Sequence, residues 1–283
     1  MSCALVFGGG GGKGAYEIGV WKALREWNLE QQFTSVLGTS VGGLNALLFA
    51  QQNFYMAQRI WQELSHGQIL SLEGRRNGAV FDQKGLRQLL ETNITGKLDK
   101  FVYVCCSRIE KHELGGLFSE RNGIFGMTVD EKVIPEYIKL NGLSKEKQIL
   151  YLLASAALPM AFDQVEIEGR FYRDGGLIRE HNLPVKKAAD LGFKKILAGS
   201  LEPGFSGARC VDGAEVFTLH PSRTLGELMD GTLDFDAANA SWRMELGYHD
   251  SLQNKTEICR MFQREEKSFR IPEDKLKKFL NNL

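Results

Sequence analysis

The sequence predicts an α/β fold on a mainly parallel sheet, and two local patterns carry that expectation. A short apolar run, CALVF (Cys3 to Phe7), ends in a stretch of glycines that opens a helical pattern. A second run, FTSVL (Phe33 to Leu37), ends in GTSVGG and opens another. Strand, glycine turn and helix thus alternate twice. That alternation lays parallel strands side by side, with their functional turns together at the carboxyl ends.

The remaining elements follow from periodicity and turn residues. Beyond Gly14, the apolar residues Ile18, Val20, Trp21 and Leu24 recur at helical spacing, and LNALLFAQQ starts a second helix after the GTSVGG turn. Tyr55 to Asn93 reads as mostly helical, broken near SLEGRRNGAV by Gly74, Asn77 and Gly78. FVYVCCSRI is a central strand, ELGGLFSERNGIFGM (Glu113 to Met127) an irregular hairpin, and KQILYLLASAA (Lys147 to Ala157) a buried helix ending before Pro159. DQVEIEGRFYRDGG gives two short strands around a turn at Glu168 and Gly169, delivering Asp174 at the end. KKILAGSL and AEVFTLHP are further strands, and Thr224 to Phe262 is expected to be largely helical. The tail EEKSFRIPEDKLKKFLNNL mixes both signs of charge and reads as a solvated helix or fraying end rather than a nucleic-acid tail. No repeat or linker divides the chain, so residues 1–283 are expected to form one domain.

Bulk composition excludes several classes. Hydrophobic residues make up 43% and charged residues 25%, an ordinary soluble balance. With 35 basic and 35 acidic residues the net charge is zero, which gives no support to a nucleic-acid partner. Five cysteines (Cys3, Cys105, Cys106, Cys210 and Cys259) form an odd set without metal spacing, and read as small core hydrophobes in a reducing compartment. No run approaches the ~18 apolar residues of a membrane span, and ALVF is too short for a signal-peptide core. The expected location is the cytosol, with a secreted effector lacking a cleaved signal as the alternative.

The run GGGGGKG, Gly8 to Gly14, marks backbone that must approach something closely. A phosphate-cradling P-loop needs G-x-x-x-x-G-K followed by Ser or Thr; the earlier glycine falls on Phe7, and Gly14 follows Lys13. Gly9, Gly11 and Gly14 satisfy a dinucleotide G-x-G-x-x-G. The second strand, however, ends in Leu37-Gly38-Thr39-Ser40, without the carboxylate that would take a ribose hydroxyl. The third chemistry is an oxyanion hole, in which small residues at a helix N-terminus expose several backbone N–H groups to developing negative charge. That reading needs a nucleophile, and GTSVG (Gly38 to Gly42) supplies G-x-S-x-G between a strand and a helix, the setting of a nucleophile elbow. The base is less constrained. Of His66, His112, His181, His220 and His249, none lies in a recognisable setting, and His181 and His249 are the candidates if a triad operates.

Taken together, the motifs resemble the patatin-like phospholipases. The family's glycine loop stands here as Gly9-Gly10-Gly11-Gly12-Lys13-Gly14, its elbow as Gly38-Thr39-Ser40-Val41-Gly42, and its D-G-[G/A] as Asp174-Gly175-Gly176, in the same order. GAYEIGVWKAL, ASAALPMAF and NLPV around them are similar as well. The resemblance covers about residues 4–201; the part from about 222 to 283 shares only helical character. It implies a three-layer patatin-like fold, a mixed or mainly parallel sheet with helices on both faces. It also implies a Ser–Asp dyad, with Ser40 as nucleophile, Asp174 as base, Gly10, Gly11 and Gly12 as oxyanion donors, and neither metal nor cofactor. Asp174 would then have to work well above the ~3.9 of a free aspartate, as burial encourages. The expected substrate is a lipid acyl ester, with Lys13 available to a lipid phosphate and GGLFSERNGIFGM to transient contact with a membrane surface. The alternatives are a general carboxylesterase or thioesterase, and a catalytically silent lipid- or protein-binding module on the same fold.

Overall fold

The computed structural model describes residues 3–70, 80–111 and 131–262. Its first strand, β1 (Cys3–Phe7), is buried along its whole length. Cys3, Leu5 and Phe7 enter one core with Trp21, Phe49 and Leu152, whereas Ala4 and Val6 enter a second with Val185, Ala188 and Ile196. A strand covered on both faces presents no polar side, which is why CALVF is uninterrupted apolar sequence.

The chain continues through α1 (Ala15–Glu26), β2 (Phe33–Thr39), α2 (Val41–Ala50), α3 (Phe54–Glu63), a short α4 (His66–Ile69), α5 (Lys84–Asn93) and β3 (Phe101–Lys111). There follow β4 (Glu131–Lys139), α6 (Lys145–Ser155), β5 (Val165–Ile167), β6 (Arg170–Asp174), α7 (Val185–Asp190) and β7 (Lys195–Gly199). The described chain ends with β8 (Gly207–Val211), β9 (Ala214–Leu219), α8 (Ala237–Gln253) and α9 (Lys255–Phe262). Among the described residues the strands form one nine-stranded sheet, hydrogen-bonded in the order β5-β6-β3-β2-β1-β7-β9-β8, with β4 also paired to β3. The centre is parallel (β1 with β2 and β7, β2 with β3, β7 with β9), and the margins are antiparallel. Helices cover both faces unequally: α1, α2, α3, α6 and α8 pack into the larger core, and α7 into the smaller. This is the expected mixed, three-layer α/β architecture. No helix among the described residues is long and apolar enough to cross a membrane.

The register around β3 positions everything that follows. β4 runs along one edge of β3 from Tyr103 to Lys111. The other edge is shared: β2 pairs with it in parallel up to Thr39 opposite Cys105, and β6 pairs antiparallel from Asp174 opposite Cys106. The two strands therefore run toward each other along one backbone, and their carboxyl ends meet.

Three parts of the chain differ from the sequence expectation. β4 contains Pro135, which is a poor strand residue except at an edge; among the described residues β4 pairs only with β3, so the missing N–H faces outward. β8 is an exposed margin strand with almost no buried side chain, and so carries no hydrophobic period. The C-terminal helix begins at Ala237, not near Thr224. Asp236 caps it by accepting from the N–H groups of Ala238 and Asn239. Ahead of it, 224–236 is irregular around a single π-turn at Leu228–Thr232. The irregular hairpin expected over Glu113 to Met127 and the break near SLEGRRNGAV lie outside the described residues, apart from Val80.

α1 and α8 cross in backbone contact. A Cβ on Gly19 would stand 1.9 Å from the Met244 carbonyl oxygen, and one on Gly247 would stand 2.1 Å from that of Tyr16. Neither neighbour is a side chain that can swing aside. Gly19→Ala is therefore expected to cost about 1–3 kcal/mol or more through overpacking, read as a lower urea midpoint at unchanged m-value.

Candidate active site

Ser40 follows β2 directly and is the residue before α2. Its backbone sits at φ 54° and ψ −127°, a conformation that non-glycine residues rarely adopt. Holding such a residue costs on the order of 1–3 kcal/mol, so the surroundings must fix it. They do so through Ser155, in the last turn of α6. Its hydroxyl accepts the Ser40 N–H at 2.8 Å and donates to the Cys105 carbonyl of β3 at 2.6 Å. Thr39 is pinned on the other side, its hydroxyl donating to the His181 carbonyl at 2.7 Å.

Asp174 ends β6 and is buried, 3% exposed. Its N–H donates to the Ala157 carbonyl at 3.0 Å, and its Oδ1 accepts the Gly176 N–H at 2.7 Å. Burial raises its pKa to about 6. The Ser40 hydroxyl, facing the carboxylate as a donor, and the Gly176 N–H oppose that rise. Ser40 and Asp174 are thus brought together by the head-to-head strands. Behind them Cys105 is buried, and burial pushes its thiol up to about 12.

The glycine loop lies beside the elbow. A Cβ on Gly9 would be 3.2 Å from the Ser40 Cβ. Gly11–Gly14 forms a 3-10 turn closed by the Lys13 N–H donating to the Gly10 carbonyl at 3.2 Å. Among the described residues, the N–H groups of Gly10, Gly11 and Gly12 have no acceptor. Gly9, Gly10 and Gly11 face the central cavity, whereas Gly12 is buried, with Asp234 O where its Cβ would be. Both ends of the loop are tied to one buried carboxylate network. Glu17 Oε1 accepts the Gly8 N–H and Oε2 accepts from Asn45 Nδ2, each at 2.8 Å. Asn45 also donates to the Gly14 carbonyl at 3.0 Å and accepts from Trp61 Nε1 at 3.1 Å. Burial pushes the Glu17 carboxyl well above its usual value, against those two donors.

Ser40 and Asp174 open onto a cavity of about 270 Å³. Its walls are mostly apolar and come from many elements: Leu44 and Leu48 of α2, Trp61 of α3, Leu86 and Leu90 of α5, Leu158 and Phe162 after α6, and Leu233 and Phe235 before α8. The other sequence candidates take supporting places. Val41, Gly176 and Asn182 line the cavity. Asn182 Nδ2 donates to the Gly9 carbonyl at 3.1 Å. Gly38 and Gly42 lie at closed backbone contacts, with Gly42 O where a Gly38 Cβ would be and Phe7 and Gly8 carbonyls beside Gly42; Gly175 packs on Cys105 O. Lys13 is buried with its Nζ 3.4 Å from Glu202. His181 points its Nδ1 at the Tyr137 hydroxyl, 2.7 Å away, and His249 is exposed on α8; neither lines the cavity. His112 lies outside the described residues. Sequence reasoning missed Ser155, Glu17, Asn45 and the wall at 232–235. Their signal is spatial, because each acts through groups that the fold brings next to it.

A family model described as patatin-like phospholipase matches residues 5–189, well over half of the chain, and the protein belongs to that family. No curated protein sequence matches it. Among solved structures, the crystal structure of VipD from Legionella pneumophila is similar at a TM-score of 0.45 and 12% identity, over 90% of this chain and 67% of that one.

Two pH-dependent outcomes are expected. Asp174 can accept a proton only when ionised, so any ester hydrolysis that uses it as the base should show kcat/KM rising with pH through about 6 and then levelling off. The fold itself prefers Asp174 protonated, since its folded pKa is above the ordinary 3.8. Its contribution to stability is full below pH 3.8 and is lost as pH rises through about 6. Asp174→Asn should therefore be more stable than wild type at pH 8, by on the order of 3 kcal/mol, with the advantage vanishing at pH 3.5. Denaturant titrations at the two pH values measure this.

Proposed function

We propose that this protein is a serine lipid acyl hydrolase of the phospholipase A type, working through a Ser40–Asp174 dyad. The observation that carries the reading is the juxtaposition of a strained, donor-bearing serine with a buried carboxylate of pKa about 6, both lining an apolar cavity. Asp174 accepts the Ser40 proton as Oγ attacks the acyl carbonyl. The carbonyl electron pair moves onto oxygen and is held by the loop N–H groups, Gly10 and Gly11 first because Gly12 is turned under Asp234. Collapse expels the alcohol with the proton from Asp174, and water releases the acid from acyl-Ser40 by the reverse path. Two aligned N–H donors are worth several kcal/mol to such a transition state. An acyl chain fits the apolar walls, and a chain seated there excludes water from the reacting carbonyl.

Family membership favours a lipid ester over a small soluble one, and the reach of the cavity from Ser40 to α5 agrees with a long chain. Residues 1–283 are read as one domain, since the larger core draws on residues from Cys3 to Met261. The enzyme is read as cytoplasmic, meeting its substrate through transient contact with a membrane surface.

A fluorophosphonate probe should label wild type at Ser40. It should fail on Ser40→Ala and lose at least about 10²-fold in rate on Asp174→Asn, each variant folded by circular dichroism. On p-nitrophenyl esters, kcat/KM should climb with chain length, and phospholipid vesicles should be hydrolysed. Turnover of acetyl and butyryl esters alone would assign a general esterase; no labelling would leave a binding module.

A further inference from the structure

The segment 225–235 lies C-terminal to the family-matched residues, yet it closes over the glycine loop and supplies part of the cavity wall. Most of the side-chain bonds that hold it there come from one residue, with His66 Nε2 also 3.4 Å from Asp234 Oδ1. Arg243, on the buried side of α8, is 1% exposed, and every one of its five N–H donors has an acceptor. Nε donates to the Leu225 carbonyl at 3.2 Å. Nη2 donates to the Asp230 carbonyl at 2.6 Å and to the Asp234 carboxylate at 2.8 Å. Nη1 donates to the Asp234 carbonyl at 3.2 Å and to the Gly12 carbonyl at 3.4 Å. Four of the five bonds hold the segment; the fifth reaches the glycine loop.

That fifth bond has a continuation. The Gly12 carbonyl belongs to the peptide whose N–H is that of Lys13, and this N–H donates to the Gly10 carbonyl at 3.2 Å. The Gly10 carbonyl belongs to the peptide whose N–H is that of Gly11, which has no acceptor among the described residues and whose residue lines the same cavity as Ser40. A buried cation thus heads a chain of two peptide groups that ends in a free donor. Each peptide in such a chain polarises the next, by roughly 10–30% per bond in condensed phase.

We infer that Arg243 is a positioning residue for the oxyanion loop, acting on the Gly11 N–H through the Gly12–Lys13 and Gly10–Gly11 peptides while pinning 225–235 as a cavity wall. The inference rests on the acyl-hydrolase reading above. Its chemistry accounts for a fully buried guanidinium whose placement a lysine, with three donors at the end of a flexible stem, cannot reproduce. A tether alone would need only the bonds to Leu225, Asp230 and Asp234.

The test compares wild type with Arg243→Lys, normalised to active sites titrated with the fluorophosphonate. The substrate is a soluble p-nitrophenyl ester and the inhibitor an alkyl trifluoromethyl ketone. The ketone forms a bond between Ser40 Oγ and its carbonyl carbon. The carbonyl electron pair moves onto oxygen as the oxyanion, and the Ser40 proton passes to Asp174. A donor deleted outright costs about 10²–10³ in kcat, so indirect weakening is expected to lower kcat about tenfold with KM within about twofold. Ketone affinity should fall in parallel, and affinity for the corresponding fatty alcohol should hold. A rise in KM with equal weakening of ketone and alcohol would overturn the relay and leave Arg243 as a cavity-wall tether. Should Arg243→Lys fail to fold, wild type decides by amide NMR: on ketone binding, the Gly11 N–H should shift downfield more than those of Gly10 and Gly12. An adduct that leaves the Gly11 N–H unmoved overturns the relay alone. Absence of any adduct at Ser40 overturns the acyl-hydrolase reading, and the relay falls with it.

Discussion

One edge of β3 is the constraint on which the site depends. Cys105 and Cys106 are consecutive residues, and the ends of β2 and β6 pair opposite them from opposite directions. Side chains alternate faces along a strand, so a one-residue slip of β6 would carry Asp174 to the other side of the sheet. Ladder hydrogen bonds forbid that slip. A serine and an aspartate have short side chains with little reach, so their meeting depends on backbone placement rather than on rotamer choice. The Ser155 hydroxyl reinforces the same point, joining the elbow N–H to the carbonyl of Cys105.

Around this edge the structure holds several unfavourable arrangements at once. Ser40 is strained, Asp174 is buried with a raised pKa, and three successive loop N–H groups have no acceptor among the described residues. Glu17 is a further carboxyl buried beneath the loop. Each is individually destabilising, and each sits next to the others rather than scattered through the core. Their neighbours are correspondingly rigid: a sheet covered on both faces, α2 packed directly on β1, and the Arg243–Asp234 ion pair at 2.8 Å. Removing one partner of such a buried pair is generally far more damaging than never having built it. The clustering fits a site in which stability is given up for reactivity at one place.

The cavity has a different origin. Its walls are the amphipathic helices α3 and α5 and the almost wholly buried α2, whose apolar surfaces stop short of meeting, together with two irregular segments after α6 and before α8. The gap between them is apolar because each helix would otherwise have buried that face in the core. Segment 225–235 completes the enclosure from beyond the family-matched residues, so the site is assembled from both the motif-bearing part and the C-terminal part of the chain.

What the sequence determined by itself was whatever is encoded locally. Glycine runs between apolar runs define the turns, and the order of GGGGKG, GTSVG and DGG defines the family and its α/β layering. Alternation and apolar runs located β1, β2, β3, β5, β6, β7 and β9 because each is buried on at least one face. β4 and β8 escaped because an edge strand can carry a proline or an exposed face without losing its ladder. The tertiary structure alone decided the rest: how the register on β3 brings Ser40 to Asp174, that His181 turns to Tyr137 instead, and that 224–236 leaves helical geometry to lie on the glycine loop. It also set the Asp174 pKa near 6, because desolvation is a property of neighbours brought from distant positions. Contacts such as Arg243 with Gly12 span more than two hundred residues, and no local pattern carries information over that distance.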